Sequence, residues 1–391
     1  MNTLTEDLLE PRLKSRLTER RHHGLERELS VTSQASFGTD LINLADNDYL
    51  DLANDPALKA AAQEALAQWG CSASASPLIT GYRSLHRDLE RALCKWLGFP
   101  HGLVWTTGYA ANSALLSLLP QRGDIVLADR LIHNSMINGI LRSGARLIRY
   151  RHCDLDHLEA LLQEPTANGR LAFVVTETVF SMDGDYPDLA QMAKLKERYG
   201  FTWMVDEAHA LGWYGPHGNG LLAEAGVTEA ADIVVGTLGK ALGSMGAFTL
   251  FRQETVRRYL INEAGEFIYS TYLAPPCAAA ALQGITCLRD RAPQRSQWHD
   301  RSSAFRRQLQ GVGLNAPHGD SPIVPIILGE VAPTLAAARA LKEDAILVPA
   351  IRPPTVPAHH SRLRLSLKAS FNEALQERVL DGLKPFVAQV P

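Results

Sequence analysis

The sequence contains few cysteines and no long hydrophobic run. Its 391 residues include five cysteines, which are scattered along the chain without a C-x-x-C pair. Scattered cysteines of this kind are typical of unpaired thiols in a reducing cytosol. No segment is apolar over the length needed to span a bilayer, and the N-terminus has no apolar signal core. These absences predict a cytoplasmic protein that does not enter a membrane.

The sequence also has little excess charge of either sign. Lys and Arg number 39 and Asp and Glu number 42, so the net charge is −3 and gives no general attraction to nucleic acid. The adjacent pairs His22–His23 and His359–His360 lack the i, i+4 spacing that places two imidazoles on one helical face. A G-x-S-x-G nucleophile motif is also absent. We therefore expect no nucleic-acid partner, no bound metal and no serine triad.

Short apolar runs alternate with helical patterns through most of the chain. This alternation predicts an α/β fold with a mostly parallel central sheet and helices on both faces. The length favours more than one domain. We divide the chain into an N-terminal helical arm (1–45), a large domain (46–285) and a smaller C-terminal α/β domain (286–391). The expected strands of the large domain lie at 103–105, 124–127, 171–176, 202–206, 233–235 and 247–251.

A lysine, a carboxylate and an imidazole follow two of these expected strands. Lys240 lies between Gly239 and Ala241, Asp206 ends the run 202–206, and His209 comes three residues later. A lysine amine forms a Schiff base, a carboxylate pairs with a protonated pyridine nitrogen, and an imidazole binds a phenolic oxygen. Alone, Lys240 also fits a solvated loop residue, and Asp206 also fits a helix cap or an internal salt bridge. Together the three groups favour a site for pyridoxal phosphate.

Other candidate cofactor ligands also follow expected strands. Gly108 and Tyr109 open a helix, whose N-terminal amides suit a phosphate group. Ser181 and Thr237 offer hydroxyls, and His133 offers a flat ring that can stack on a pyridine. Because ligands of parallel sheets bind at the carboxyl ends of the strands, we expect these groups to converge at one edge.

The chain resembles the α-oxoamine synthases, a fold-type I family of pyridoxal phosphate-dependent transferases. The resemblance runs from about residue 43 to residue 367. The segments that carry it are 47–50, 128–133, 176–185, 206–209, 237–240, 268–271 and 350–357. Of these, the Arg-Pro-Pro-Thr sequence that begins at Arg352 discriminates best between branches of the family.

The resemblance implies a role for each matching residue. Catalysis is implied for Lys240, which carries the cofactor and moves the α-proton, and for His133, Asp206 and His209. The implied cofactor ligands are Gly108, Tyr109, His133, Ser181, Asp206, His209, Thr237, Lys240 and Thr271, the last reaching the phosphate of a second subunit's site. The implied substrate ligands are Asn47 and Arg364 for the amino-acid carboxylate, and Arg352 and Thr355 for the acyl group. Ser76 is a further substrate ligand in a nearby loop. An N-terminal arginine is also implied as a substrate ligand; Arg20, Arg21 and Arg27 are the candidates, and we assign Arg21. The resemblance therefore also implies a homodimer with shared active sites.

The implied reaction is the decarboxylative condensation of L-alanine with a pimeloyl thioester of coenzyme A or acyl carrier protein, in biotin biosynthesis. Two alternatives remain open. The loop 71–78 departs from the family's glycine-rich pattern, which favours a related synthase that uses glycine or serine and another thioester. The second alternative is a protein of the same fold that has lost catalysis and only binds.

Overall fold

A seven-stranded sheet forms the centre of the protein. The computed structural model describes residues 9–29, 31, 41–167, 170 and 172–389. The strands are β1 (Ile42–Asn43), β2 (His101–Trp105), β3 (Ile125–Asp129), β4 (Arg146–Tyr150), β5 (Ala172–Glu177), β6 (Thr202–Asp206), β7 (Ile233–Thr237), β8 (Ala247–Phe251), β9 (Ile323–Gly329), β10 (Ile346–Leu347), β11 (Ala350–Ile351) and β12 (Ser361–Ser366).

Helices follow most of these strands. They are α1 (Leu9–His22), α2 (Pro56–Trp69), α3 (Ser84–Leu97), α4 (Gly108–Leu118), α5 (Asn134–Ser143), α6 (Leu155–Ala167), α7 (Leu189–Tyr199), α8 (Leu221–Glu224), α9 (Glu254–Glu263), α10 (Gly265–Ile268), α11 (Pro275–Asp290), α12 (Arg295–Gly311), α13 (Val331–Glu343) and α14 (Glu373–Leu383). Short 3-10 or π-helical turns occupy Pro77–Gly81, Thr228–Ala230, Ala292–Gln294 and Lys384–Gln389. Among the helices of these described residues, none combines the length and the apolar character that crossing a membrane requires.

The central sheet has the strand order β2-β8-β7-β6-β5-β3-β4, and every pair is parallel except the two that β8 makes. All five residues of β3 and of β8 are buried, as expected for strands that are covered on both faces, whereas the edge strand β4 is partly exposed. The pattern is that of an α/β protein with a mostly parallel sheet, so the predicted fold class is confirmed. Residue 171, which the expected strand 171–176 includes, lies outside the described residues.

The C-terminal part contains a three-stranded antiparallel sheet with the order β11-β12-β9. The expected elements of this part, a long charged helix, a strand, a helix and a second strand, correspond to α12, β9, α13 and β12. Strand β1 pairs with β10 in parallel, so Ile42 in the predicted arm lies beside Ile346. Helix α11 runs across the expected boundary between residues 285 and 286. The division into three domains stays a prediction. The N-terminal arm also stays a prediction, because residues 1–8, 30 and 32–40 are not among the described residues.

Candidate active site

The predicted site residues follow the carboxyl ends of neighbouring strands. Asp206 ends β6, Lys240 follows β7 by three residues, and His133 and Ser181 follow β3 and β5. Gly108 opens α4 directly after β2. Because these five strands run in the same direction, their ends meet at one edge of the sheet. The convergence expected from the sequence is therefore present.

A hydrogen-bonded chain of side chains links Lys240 to an arginine of the C-terminal sheet. Lys240 Nζ lies 2.7 Å from His209 Nε2, and His209 Nδ1 lies 2.6 Å from Tyr49 Oη. Tyr49 Oη in turn donates to Asn47 Oδ1 at 3.2 Å and accepts from Arg364 Nη2 at 3.4 Å. Since a protonated lysine only donates, His209 accepts at Nε2 and carries its proton on Nδ1, toward Tyr49.

The charge states of this chain follow from burial. Removal from water lowers the pKa of Lys240 to about 8, although Asp206 and Glu177 act in the opposite direction. Burial also holds the pKa of His209 well below its ordinary value, and the positive charges of Lys240 and Arg364 lower it further. His209 is therefore neutral near pH 7, as the tautomer requires. Lys240 titrates close enough to neutral pH to exchange protons.

Asp206 is 7% exposed and is held by two donors. The backbone N–H of Ala208 donates to Oδ1 at 2.9 Å, and Asn112 Nδ2 donates to Oδ2 at 2.9 Å. Asn112 Nδ2 also lies 3.2 Å from Ser135 Oγ, while its buried Oδ1 has no partner in the described part of the chain. Sequence reasoning missed the role of Asn112. The available signal was an amide one turn into α4, among apolar residues.

His133 caps α5 and is fixed by a carboxyl group that sequence reasoning also missed. Its backbone N–H donates to Glu177 Oε1 at 2.6 Å, and its Nδ1 lies 2.7 Å from Ser135 Oγ. The residue itself is exposed, so its ring is open to a ligand. Glu177 is buried beside Asp206 in the β5–β6 register. Burial and the charge of Asp206 raise the pKa of Glu177 well above its ordinary value, so its ionised form is unfavourable in the folded protein.

The start of α4 provides amide groups for an anion. Thr107 Oγ1 accepts from Ala110 N at 3.1 Å, which satisfies one of the first N–H groups of the helix. The N–H groups of Gly108 and Tyr109 precede it and have no acceptor within the helix. Thr237 lies near Lys240, but its hydroxyl already accepts from Gly239 N and donates to the Gly246 carbonyl, both at 3.1 Å.

Arg364 is 4% exposed, and its partners among the described residues are all uncharged. Nε donates to the Ser181 carbonyl and Nη1 to Ser366 Oγ, both at 2.7 Å. Through Tyr49 it is also joined to Asn47. The structure therefore brings together the two residues predicted to bind a carboxylate. The tyrosine that joins them is present in the matching segment 47–50, but its role was not predicted.

Arg21 and Arg27 have different hydrogen-bond partners. Arg27 Nη2 donates to Thr355 Oγ1 at 2.9 Å. Arg21 is exposed and pairs with Glu26, whose carboxylate lies 2.7 Å from Nε. Arg352 donates to the backbone carbonyls of Gly24 and Glu26 and so holds this segment in place. Arg27 rather than Arg21 thus reaches Thr355, while the substrate role of Arg21 stays a prediction.

Two predicted residues are placed away from this hydrogen-bonded chain. Ser76 precedes the π-helical turn Pro77–Gly81, where its carbonyl accepts from Gly81 N at 3.0 Å. Thr271 is exposed on the segment between α10 and α11. The next residue, Tyr272, donates its N–H to the Ala75 carbonyl at 3.0 Å, which ties this segment to the loop that contains Ser76. The substrate role of Ser76 and the cross-subunit role of Thr271 stay predictions.

A cluster of Asp129, His152 and Cys153 has the residue types of a metal site, since their ligand atoms lie within 4.8 Å of one another. However, both ring nitrogens of His152 are engaged at 2.9 Å, one by Asp129 and the other by Asp185. Burial lowers the pKa of His152, but these two carboxylates outweigh it and raise the value to about 12. A protonated imidazole between two carboxylates is an ion pair rather than a ligand. We keep the prediction that the protein uses no metal.

The donor set fits pyridoxal phosphate. A buried carboxylate suits the protonated pyridine nitrogen, the amine of Lys240 suits the aldehyde, and the α4 amides suit the phosphate. The residues that would hold the group are therefore Lys240, Asp206, His209, His133 and the start of α4.

Comparison with known proteins supports this interpretation. The family model "Aminotransferase class I and II" matches residues 39–383. The chain is 41% identical to an 8-amino-7-oxononanoate synthase of Trichlorobacter lovleyi, over 94% of this chain and 95% of that protein. Among solved structures, a serine palmitoyltransferase of Sphingomonas wittichii superimposes with a TM-score of 0.89 at 27% identity, covering 100% of both chains. An 8-amino-7-oxononanoate synthase of Francisella tularensis gives a TM-score of 0.78 at 28% identity, covering 90% of this chain and 98% of that one.

These matches confirm the predictions that the protein is an enzyme and that its cofactor is pyridoxal phosphate. They span nearly the whole chain, as the sequence resemblance does. The chain belongs to the aminotransferase class I and II family and, within it, to the pyridoxal phosphate-dependent α-oxoamine synthases.

Proposed function

We propose that this enzyme condenses L-alanine with a pimeloyl thioester to form 8-amino-7-oxononanoate for biotin biosynthesis. The observation that carries the proposal is the hydrogen-bonded chain from Lys240 through His209 and Tyr49 to Arg364. It places a proton-exchanging amine in the same site as a buried guanidinium with no carboxylate partner among the described residues. An amino acid needs both groups, one at its Cα and one at its carboxylate. The name of the relative at 41% identity supports 8-amino-7-oxononanoate as the product.

Each residue has a defined task in this reaction. Pyridoxal phosphate, when bound, supplies an electron-poor ring that stabilises negative charge at the amino acid's Cα. Asp206 keeps the ring nitrogen protonated, and Asn112 and the Ala208 amide hold that carboxylate in place. Lys240, with a pKa of about 8, takes the α-proton and later returns one. His133 is exposed, and its imidazole would be available to stack on the cofactor ring.

The overall reaction balances without a further reactant. A bond forms between Cα of alanine and the acyl carbon, and the thiol leaves. The bond between Cα and the carboxylate then breaks with release of carbon dioxide, and a proton replaces it at Cα. One proton is taken up overall, because the carboxylate leaves as a neutral gas. Arg364 binds the carboxylate that is later lost, so the ion pair between them must break during turnover.

We also propose a cytoplasmic homodimer in which each subunit contributes Thr271 to the phosphate of the other site. Thr271 is exposed, and nearby Tyr269 is 86% exposed. Both side chains are therefore accessible to a second subunit.

A related synthase that uses L-serine or glycine is the second candidate. It is favoured by the similarity to the Sphingomonas serine palmitoyltransferase and by the exposed loop that contains Ser74, whose φ is +63°. The test is a panel of L-alanine, glycine and L-serine, each with pimeloyl-CoA, pimeloyl carrier protein or palmitoyl-CoA, with products identified by mass spectrometry. We expect 8-amino-7-oxononanoate from alanine and a pimeloyl donor. Turnover only with serine and the long-chain donor would support the second candidate, and Lys240→Ala serves as the inactive control.

A further inference from the structure

A large cavity next to the active site is lined by three arginines. The cavity has a volume of about 730 Å³. His133 and Ser181 line it on the side of the site, and Arg27, Arg130 and Arg149 also contribute to its wall. No Asp or Glu belongs to the lining formed by the described residues. The cavity is therefore strongly cationic, although the whole chain has a net charge of −3.

The three arginines have no carboxylate partner within the described ranges of the chain. Arg27 donates to the hydroxyl of Thr355, and Arg149 donates to the backbone carbonyl of Arg130. The guanidinium of Arg362, by contrast, is paired with the carboxylate of Asp183. The contacts of Arg27 and Arg149 orient two side chains without cancelling their charge. Each guanidinium therefore keeps N–H groups that are free to bind an anion.

The arginines come from three separate elements. Arg27 lies on the segment after α1, Arg130 directly after β3, and Arg149 on β4. All three are exposed, so a ligand can reach them without a rearrangement of the fold. Arginine binds phosphate groups through paired hydrogen bonds, and several guanidiniums around one cavity suit a ligand with more than one phosphate oxygen.

We propose that Arg27, Arg130 and Arg149 form a binding site for the phosphate of the phosphopantetheine arm of the acyl donor. The inference rests on the proposed function, because only a thioester substrate brings such an arm to the site. The reacting carbonyl would lie toward His133, and the phosphate would lie toward the arginines. Two donors share this chemistry, coenzyme A and a carrier protein with a phosphopantetheine group.

The test measures binding and turnover separately. The variants are Arg130→Gln and the double variant Arg130→Gln/Arg149→Gln. The matched control is Arg122→Gln, because Arg122 is also exposed but lies before the start of β3, at the opposite end of the strand. Binding of free coenzyme A and of 4′-phosphopantetheine to the cofactor-loaded enzyme is measured by calorimetry. Turnover is measured with pimeloyl-CoA and with the pimeloyl thioester of N-acetylcysteamine, which has no phosphate.

We expect the dissociation constant of coenzyme A to rise about tenfold in Arg130→Gln and further in the double variant, as a lost charged hydrogen bond predicts. KM for pimeloyl-CoA should rise in parallel, while kcat and KM for the N-acetylcysteamine thioester should change less than about twofold. A loss of affinity for both ligands supports the proposal. A loss for coenzyme A alone overturns it, because the arginines would then bind the nucleotide phosphates and not the phosphate on pantetheine.

Unchanged affinity for both phosphorylated ligands in the double variant would overturn the proposal, as would an equal loss in Arg122→Gln. The binding measurement also separates the two proposals. If coenzyme A binds with the expected dependence on Arg130 but no pimeloyl donor is turned over, the phosphate site stands and the proposed reaction fails. If 8-amino-7-oxononanoate forms at the same KM in every variant, the reaction stands and the phosphate site fails.

Discussion

Replacing Lys240 with methionine should make the cofactor-free protein more stable. Burial lowers the pKa of Lys240 from 10.5 to about 8. Since one pKa unit corresponds to about 1.4 kcal/mol, the protonated side chain costs the folded state about 3 kcal/mol at neutral pH. Methionine is also unbranched and fills a similar volume, but it carries no charge. The loss of the contact with His209 Nε2 offsets about 1 kcal/mol, which leaves a gain of about 2 kcal/mol.

The gain should depend on pH in a defined direction. The folded state releases the Lys240 proton near pH 8, whereas the unfolded chain keeps it to about pH 10.5. Between these values the unfolded state binds more protons, so the stability of the unsubstituted protein rises with pH. The advantage of Lys240→Met is therefore complete below about pH 8 and disappears above about pH 10.5.

Calorimetry of the protein after removal of pyridoxal phosphate measures this effect. The cofactor must be absent because a ligand bound only to the folded state would stabilise the lysine form. For 391 residues the entropy of unfolding is about 0.8 kcal/mol per degree, so about 2 kcal/mol raises Tm by roughly 2 to 3 °C. The control is Lys59→Met on the exposed surface of α2, where no change beyond about 0.5 kcal/mol is expected. A lower Tm for Lys240→Met at pH 7, or a rise that is the same at pH 7 and pH 10, would refute the reasoning.

Two further predictions concern residues near the site. Glu177→Gln should keep or raise Tm, because the amide oxygen still accepts from His133 N and the amide carries no buried charge, which the raised pKa of Glu177 shows to be unfavourable. Glu177→Ala should lose about 1 to 3 kcal/mol, because it leaves that N–H without its acceptor. Equal losses in the two variants, measured by calorimetry from pH 5 to 9, would contradict this account. Gly184→Ala should lower Tm by at least about 4 °C, since the new Cβ would lie 2.2 Å from the Ile323 carbonyl oxygen. Gly200→Ala is its control, with a similar positive φ but open space, and should cost only about 1 kcal/mol.

The sequence predicted the elements that position the cofactor because their signals are local. The apolar runs of β5, β6 and β7 are readable from a few adjacent residues, and a parallel arrangement sends all their carboxyl ends to one edge. Asp206 and Lys240 could therefore be assigned to one site before any contact was known. The start of α4 at Gly108 and Tyr109 was predicted in the same way, as a helix that opens after an expected strand.

The contacts between distant segments could not be predicted in this way. Tyr49 and His209 are separated by 160 positions, and Arg364 joins Tyr49 from a strand at the other end of the chain. Such pairs depend on how two sheets pack, which no local periodicity encodes. The choice between Arg21 and Arg27 had the same difficulty, because the position of that segment depends on carbonyl groups held by Arg352.

In the proposed reaction, the link from Arg364 to Lys240 would connect substrate binding to proton transfer. The charge of Arg364 lowers the pKa of both Lys240 and His209. A carboxylate bound at Arg364 would neutralise that charge, and the pKa of the free lysine amine would then rise. Lys240 would become a stronger base when an amino acid occupies the site, while His209 would stay neutral because burial remains the main cause of its lowered pKa. In the proposed reaction, the guanidinium of Arg364 would therefore both bind the substrate and adjust the base that acts on it.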